Sequence, residues 1–461
     1  MVVFCFGPLP DERARVRITT VKPKYAVAEM LQLTSGCAQR AQPFCPVFGK
    51  CGGCQVQHLT YAAQLSWKGD LVRNALARIG GLDDVAVRNP IGMSNPRAYR
   101  NKMSLVVDRR GGLPRLGFYR QRSHDLVPIA ACPIVMPQLN AQIARLNEVL
   151  LQPAMADAFA ATRHIVARTA KTTEQTVVTF TTEEPSPTLR ALAPALMRQL
   201  PGVVGITNSY DLSSQNAILG REHVLLHGVS QIEETVAGVR YRVSSGSFFQ
   251  VNVEIVARIF DFMRQGLDAP RKIVDLYCGA GTFSLLFAKA GCEVLGVEEN
   301  PQAIAEAREN AALNQLGEGA RFHVGRVEEA VQRGAAADRL REAQIVFLDP
   351  PRKGSDETTL GALAEAAVAN IWYLSCDPAT LARDLKFLVA NGYRIGVVQP
   401  FDMFPQTGHV ETLVTLYRES TVREHVLAQA FKDAPVPQWP AGEFNETSIH
   451  QEYPDFVIRE D

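Results

Sequence analysis

"KIVDLYCGAGTFSLLFAKAG", residues 272–291, opens on a short apolar run, breaks at Gly279 and Gly281, and resumes as an apolar segment of helical length. A buried strand that ends in a glycine turn before a helix lets the turn's backbone amides approach a ligand, because no Cβ stands in the way. The segments that follow, "CEVLGVEENPQAIAEARENAALN", "RFHVG", "QIVFLDPP", "ALAEAAVANIWYLSC" and "YRIGVVQPFDMF", repeat buried strands and amphipathic helices at βαβ spacing. Residues 246–418 are therefore predicted to form a doubly wound, Rossmann-like α/β domain.

Nineteen residues beyond Gly279, "GVEEN" closes a second strand on Glu298, where a carboxylate takes the hydroxyls of a ribose. Turn and carboxylate together indicate an adenosine-containing cofactor. Ser284 occupies the third glycine position of a dinucleotide fingerprint, so "DLYCGAGTF" has the pattern of an S-adenosylmethionine site rather than an NAD site. The bland alternative is a glycine turn needed only for packing helix on strand. In "FLDPPRKG", Arg352 stands where amine-methylating enzymes carry a stacking aromatic, which argues against exocyclic-amine chemistry. Asp349 then either faces the cofactor or the base, or caps a proline-fixed turn.

Cys376 ends the apolar run "IWYLS" and is followed by Asp377-Pro378 opening a helix. The positive end of a helix dipole favours the thiolate, which makes Cys376 a candidate nucleophile, although most buried cysteines act as small hydrophobes. Glu411 lies at the mouth of the strand after "FDMFPQTGHV", either in the same cavity or paired at a strand edge; His409 reads as structural. A thiol, a carboxylate and a methyl donor fit one reaction. C5 of uracil attacks a sulfonium methyl only after a thiolate has added at C6, and a base must then remove the C5 proton. The target base must be swung out of its stack.

Upstream, "CPVFGKCGGC" places Cys45, Cys51 and Cys54 within ten residues of a chain that has nine cysteines. An odd number in a chain with no signal-peptide pattern argues against a disulfide frame and for metal, cluster or catalysis. From spacing alone, zinc and iron–sulfur remain open. Among the 461 residues, 48 basic and 48 acidic side chains cancel, and 46% hydrophobic residues supply proper cores. Residues 97–122 hold eight Lys or Arg against Asp108 alone, with Tyr99, Phe118 and Tyr119 interleaved. That is either a phosphate-tracking surface with stacking rings or a basic hairpin whose rings face a core. "LTYAAQLSWKGDLVRNALARIGG" predicts an amphipathic helix with Leu65, Leu71, Val72, Ala75, Leu76 and Ile79 inward, a Thr60 cap and a Gly80-Gly81 stop. Residues from 419 on carry nine acidic against three basic side chains and predict an acidic, loosely ordered tail.

"CPVFGKCGGCQVQHL", "SSGSFFQVN", "DLYCGAGTFSLLFA", "GVEEN", "FLDPPRKG", "YLSCDPATLARDL" and "DMFPQTGHVETLV" together resemble the bacterial RNA 5-methyluridine methyltransferases, in particular the 23S rRNA uracil-C5 group with a 4Fe-4S cluster. The resemblance runs over residues 1–418. It implies Cys376 as nucleophile and Glu411 as general base, with Gln250, Tyr277, Thr282, Glu298 and Asp349 at S-adenosylmethionine. It implies that Cys45, Cys51, Cys54 and Cys132 hold the cluster. The expected architecture is a class I methyltransferase domain over 246–418 and an α+β iron–sulfur domain over 37–245. Residues 1–36 are expected to form a partial OB-like (TRAM-type) RNA-binding domain, since the chain enters inside the pattern of the family's complete barrel. The expected partner is RNA, 23S rRNA first and tRNA as the alternative, for a cytoplasmic monomer with no membrane association. A catalytically spent iron–sulfur RNA-binding protein is the non-enzymatic alternative.

Overall fold

The computed structural model describes residues 1–418 apart from 111, 215, 216 and 268; the expected acidic tail lies outside the described residues. The seven strands of the C-terminal sheet are β1 (Lys272–Leu276), β2 (Glu293–Glu298), β3 (Ala320–Val324), β4 (Ile345–Leu348), β5 (Asn370–Ser375), β6 (Tyr393–Phe401) and β7 (Glu411–Arg418). Their order is β3-β2-β1-β4-β5-β7-β6, parallel from β3 to β5, with β7 antiparallel to both β5 and β6. This is the α/β, Rossmann-like sheet expected of a class I methyltransferase.

The central strands β1, β4, β5 and β7 are buried on both faces over most of their length, which is why they read as continuous apolar runs rather than as alternating patterns. The alternation is nonetheless present in three dimensions. Ile273, Phe347, Trp372 and Leu413 pack on one face with the helix Val253–Arg264 and the hairpin Gln231–Val236/Val239–Ser244. Val274, Val346, Tyr373 and Val414 pack on the other with the helices Tyr61–Ala75 and Pro378–Ala390.

A second seven-stranded sheet lies upstream, built from strands between Lys102 and Gly228 and antiparallel except where Thr176–Thr181 runs beside Val203–Tyr210. The helices Pro137–Leu150 and Pro187–Gln199 share its core. At the N-terminus, Val2–Phe6, Arg13–Val21 and Tyr25–Ser35 form a three-stranded sheet with Tyr25–Ser35 in the middle.

Two sequence expectations change here. The helix Tyr61–Ala75 runs on into a wider turn over Leu76–Gly80 and stops at left-handed Gly81, as the glycines predict, but the Thr60 side chain makes no cap. Its inward face is more polar than its apolar pattern: Gln64 and Lys68 are buried, whereas Ile79 is 45% exposed. The reason is a long-range partner. Lys68 Nζ donates to Asp402 Oδ1 at 2.5 Å and to the Phe404 carbonyl at 3.0 Å, with both charged side chains out of solvent. Two of the three rings of the basic stretch face inward as well, whereas Tyr119 is half-buried at the cysteine cavity, edge-on to His124. Tyr99 is buried with its hydroxyl on the Pro405 carbonyl, and Phe118 packs against the upstream core.

Removing one member of a buried ion pair strands the other charge, which costs about 3–5 kcal/mol. Lys68→Met is therefore expected to lower the thermal midpoint sharply, and Lys68→Met/Asp402→Met to recover most of the loss. A thermal denaturation series of the three proteins checks this.

Candidate active site

The carboxyl ends of the parallel strands open into a cavity of about 1320 Å³, where ligands of doubly wound sheets bind. Gln250, Tyr277, Thr282, Glu298, Asp349, Cys376 and Glu411 all line it. The glycine turn behaves as its sequence demands. Gly279 and Gly281 both have positive φ, and a Cβ on Gly279 would meet nothing within 4 Å, so this amide borders open space. A Cβ on Gly281 would press on Ala307 and the Phe322 ring, so here glycine serves close packing. Glu298 ends β2 and accepts from the Gly279 N–H at 3.2 Å and the Asn300 N–H at 2.9 Å, which aims its carboxylate across the turn. Tyr277 adopts a φ of 67°, unusual for a side chain of its size, and its hydroxyl meets Ser355 Oγ at 3.1 Å. Thr282 begins the helix Thr282–Lys289, its carbonyl taken by the Tyr241 hydroxyl. Gln250 is held through its own carbonyl by Asn101 Nδ2 at 3.1 Å.

Cys376 and Glu411 are brought together by strand register. Ser375 on β5 pairs with Thr412 on antiparallel β7, so the next residue of one strand and the preceding residue of the other stand opposite and share a face. Asp377 caps the helix after Cys376, accepting from the Ala379 and Thr380 N–H groups. Burial pushes the Cys376 thiol up to about 12, the nearby carboxylates of Glu411 and Asp349 add to the rise, and Arg352 opposes it. Burial likewise raises Glu411 to about 8, with Asp349 adding and Arg352 opposing. Asp349, at the end of β4, is raised to about 7 by burial alone. Low dielectric therefore outweighs the helix dipole at the thiol, contrary to the lowered pKa its position alone suggested. His409 lies on the rim, edge-on to Phe404 at 5.9 Å, and burial keeps it neutral near pH 7.

The four cysteines Cys45, Cys51, Cys54 and Cys132 line a separate cavity of about 670 Å³; Cys37 is not part of it. Gly52 fits beneath the strand Arg115–Tyr119, where a Cβ would lie 3.2 Å from the Tyr119 carbonyl, and its N–H donates to that carbonyl. Cys132 is fixed by Asn140, which accepts from its N–H at 2.8 Å and donates to its carbonyl at 3.0 Å. Burial raises Cys54 to about 12 and Cys132 to about 11, with the other thiols of the set adding to both. Among the described residues, no three His, Cys, Asp or Glu side chains converge tightly enough to chelate a single ion.

The sequence profile described as tRNA (Uracil-5-)-methyltransferase matches residues 214–419. An uncharacterized RNA methyltransferase from Bacillus cereus is 35% identical over 425 residues, covering 90% of this chain and 92% of that protein. Another from Thermosynechococcus vestitus is 38% identical over 427 residues, covering 90% and 93%. The chain belongs to the tRNA (uracil-5-)-methyltransferase family, whose members are S-adenosylmethionine-dependent RNA methyltransferases. Its fold is similar to the solved Pyrococcus abyssi tRNA (uracil-54, C5)-methyltransferase in complex with S-adenosyl-L-homocysteine, with a TM-score of 0.67 at 28% identity over 87% of this chain and 91% of that one. No helix among the described residues is long and apolar enough to cross a membrane.

Asp275 is among the cavity residues that the sequence reading did not single out. At the end of β1, it borders the cavity with Oδ1 buried and without a hydrogen-bond partner, while Oδ2 accepts from Ser284 Oγ. Burial raises its pKa to about 8. Ser284 thus departs from the dinucleotide pattern because a hydroxyl is needed there to satisfy Asp275. The signal was available as an acid inside an otherwise apolar strand.

Hydrogen bonds to a charged group contribute about 1.5–3 kcal/mol, or roughly 10- to 150-fold in affinity. Glu298→Ala is expected to weaken S-adenosylhomocysteine binding within that range without unfolding the protein, as read by isothermal titration calorimetry.

Proposed function

We propose that this chain methylates C5 of a uracil in RNA, with 23S rRNA as the substrate, through a covalent bond between Cys376 and C6 of the base. The observation that carries this reading is the β5–β7 register, which sets Cys376 opposite Glu411 at the mouth of the cofactor cavity. Gln250, Tyr277, Thr282, Glu298 and Asp349 hold S-adenosylmethionine, which when bound supplies an electrophilic methyl group. The Cys376 thiolate adds to C6, and the electron pair of the C5–C6 double bond moves toward O4, giving C5 the nucleophilic character it lacks in free uracil. Once C5 carries the methyl group, the Glu411 carboxylate takes the remaining C5 proton. The released pair restores the double bond and expels the thiolate. Arg352, the cation that lowers the pKa of both Cys376 and Glu411, favours the ionised form of each.

Cys45, Cys51, Cys54 and Cys132 fit a 4Fe-4S cluster. The set is all thiol, it lines one cavity, and a cubane takes one thiolate at each of four irons, so it spans a wider set than one tetrahedral zinc does. Bound there, it would tie the loop 45–54 to Cys132. The domain division follows: an OB-like RNA-contacting unit over 1–36, the cluster domain over 37–245 and methyl transfer over 246–418. A second reading, tRNA as substrate, is supported by the likeness to the Pyrococcus abyssi tRNA enzyme. Mapping 5-methyluridine in rRNA and tRNA from cells with and without the gene decides between them.

Glu411→Gln is expected to arrest the reaction after methyl transfer, leaving a protein–RNA adduct that survives denaturing electrophoresis and disappears in Cys376→Ala/Glu411→Gln. A clean gel for the single variant sinks the assignment. Because Glu411 works as a carboxylate and its pKa is raised to about 8, turnover should climb with pH through that value; ionisation of the thiol acts in the same direction. A profile flat between about pH 6 and pH 9 contradicts the base. Aerobically stable protein should be brown with acid-labile sulfide, and Cys51→Ser should lose both.

A further inference from the structure

The loop between β6 and β7, residues 402–410, leads directly into Glu411 and takes its course from residues more than 300 positions away in the chain. Its pivot is Gln406, which is buried at 2% exposure and has a φ of 72°. A non-glycine residue is held in that region only where its surroundings over-determine it. The surroundings here are two glutamines that follow the cysteine loop. The Gln406 carbonyl accepts from the N–H groups of Gln55 at 3.0 Å and Val56 at 3.1 Å. The Gln406 N–H donates to Gln64 Oε1 at 3.1 Å, and Gln64 Nε2 donates to Gln406 Oε1 at 2.9 Å and to the Leu59 carbonyl at 2.8 Å. Gln55 Oε1 accepts from the Gly408 N–H at 3.3 Å, three residues before Glu411.

Gln64 therefore spends both amide protons and its oxygen on one orientation, at 1% exposure. A buried amide pair satisfied on both sides is directional in a way that apolar packing is not. Cys376 is held differently, by β5 and the Asp377 cap, with no hydrogen bond from this loop recorded among the described residues. Beyond the β5–β7 pairing that both share, the two halves of the proposed reaction thus rest on separate supports.

We infer that Gln64 and Gln55 are positioning residues for Glu411: by holding Gln406 in its left-handed conformation they set where the carboxylate meets the C5 proton, without setting the attack of Cys376. The inference rests on the uracil-C5 reading above. Because a misplacement of about 1 Å costs on the order of 100-fold in a proton or group transfer, loosening the loop should slow resolution of the adduct selectively.

The test uses the full chain with S-adenosylmethionine and in vitro transcripts of 23S rRNA, or of tRNA where mapping places the site there, made with uridine or with 5-fluorouridine. Fluorine at C5 cannot leave as a proton is lost, so the fluorinated transcript reports adduct formation alone, whereas the uridine transcript also needs Glu411. Gln64→Leu should trap fluorinated RNA within about threefold of the wild-type rate. On the uridine transcript its turnover should fall about 10- to 100-fold, with accumulating adduct and a deuterium isotope effect at C5–H larger than in wild type. Gln64→Glu keeps the acceptor for the Gln406 N–H and should fall between. Gln55→Ala removes the Gly408 contact together with the bond from Gln55 Nε2 to the Gly52 carbonyl, keeps the backbone bond to Gln406, should show a weaker form of the same split, and decides the matter should Gln64→Leu fail to fold. Equal losses on both transcripts, or no loss on either, overturn the inference. Wild-type protein that traps no fluorinated RNA of either kind overturns the uracil-C5 reading itself.

Discussion

The antiparallel pairing of β7 with β5 is the constraint on which the site depends. Were β7 parallel, like the strands from β3 to β5, its start would lie at the far edge of the sheet and Glu411 would face away from the cofactor. Reversal brings the loop 402–410 to the carboxyl edge, and the pairing of Ser375 with Thr412 leaves Cys376 and Glu411 just beyond the last β5–β7 pair, with Glu411 held on its other side by Phe401 of β6. A slip of one residue would turn one of the side chains to the opposite face. The continuous burial of both strands prevents the slip, since each alternate side chain is committed to one of two different cores.

The same edge is closed by parts of the chain that precede the sheet. Lys68 and Gln64, on one face of the helix Tyr61–Ala75, reach Asp402 and Gln406, and Tyr99 reaches Pro405. Asn101 and Arg168 hold the segment bearing Gln250, the latter through the carbonyls of Ser247 and Phe249. The segments beside the cavity, the loop 402–410 and the stretch bearing Gln250, are thus held by upstream polar side chains that do not themselves line it. Those side chains are buried because each has a definite backbone or side-chain partner, as buried polar groups must. This arrangement places the cysteine loop one residue from a direct contact with the loop that carries Glu411, since Gln55 follows Cys54.

Electrostatics in the cavity run against the simplest expectation. A thiol beside a helix N-terminus is expected to ionise easily, yet two carboxylates and loss of water raise its pKa more than the dipole lowers it. Asp275, Asp349 and Glu411 are all raised by desolvation, and Asp349 adds to the rise at the other two, so the resting site holds more protons than its residue types suggest. Such a site is poised for a cationic ligand: a sulfonium arriving among these groups would favour their ionised forms.

The strand–turn–helix at 272–291, the carboxylate at the end of β2 and the helix stop at Gly80-Gly81 were legible in the sequence. Each is governed by residues within a turn or two of itself: glycine conformation, strand burial, apolar period. The seven residues expected at the cofactor and the base line one cavity, and the motifs that carry them are local in the sequence. Tertiary structure alone decided what stands next to what. That Cys376 meets Glu411 across 35 residues, that Cys132 joins a loop some eighty positions upstream, that Tyr99 turns inward, and that Lys68 and Gln64 are core rather than surface all depend on partners remote in the chain. A lysine on a helix reads as solvated unless its counter-ion is known, and the counter-ion is supplied only when the whole sheet has assembled. Local physics is written in neighbouring residues, whereas register and buried polar pairing follow from the packing of the complete fold.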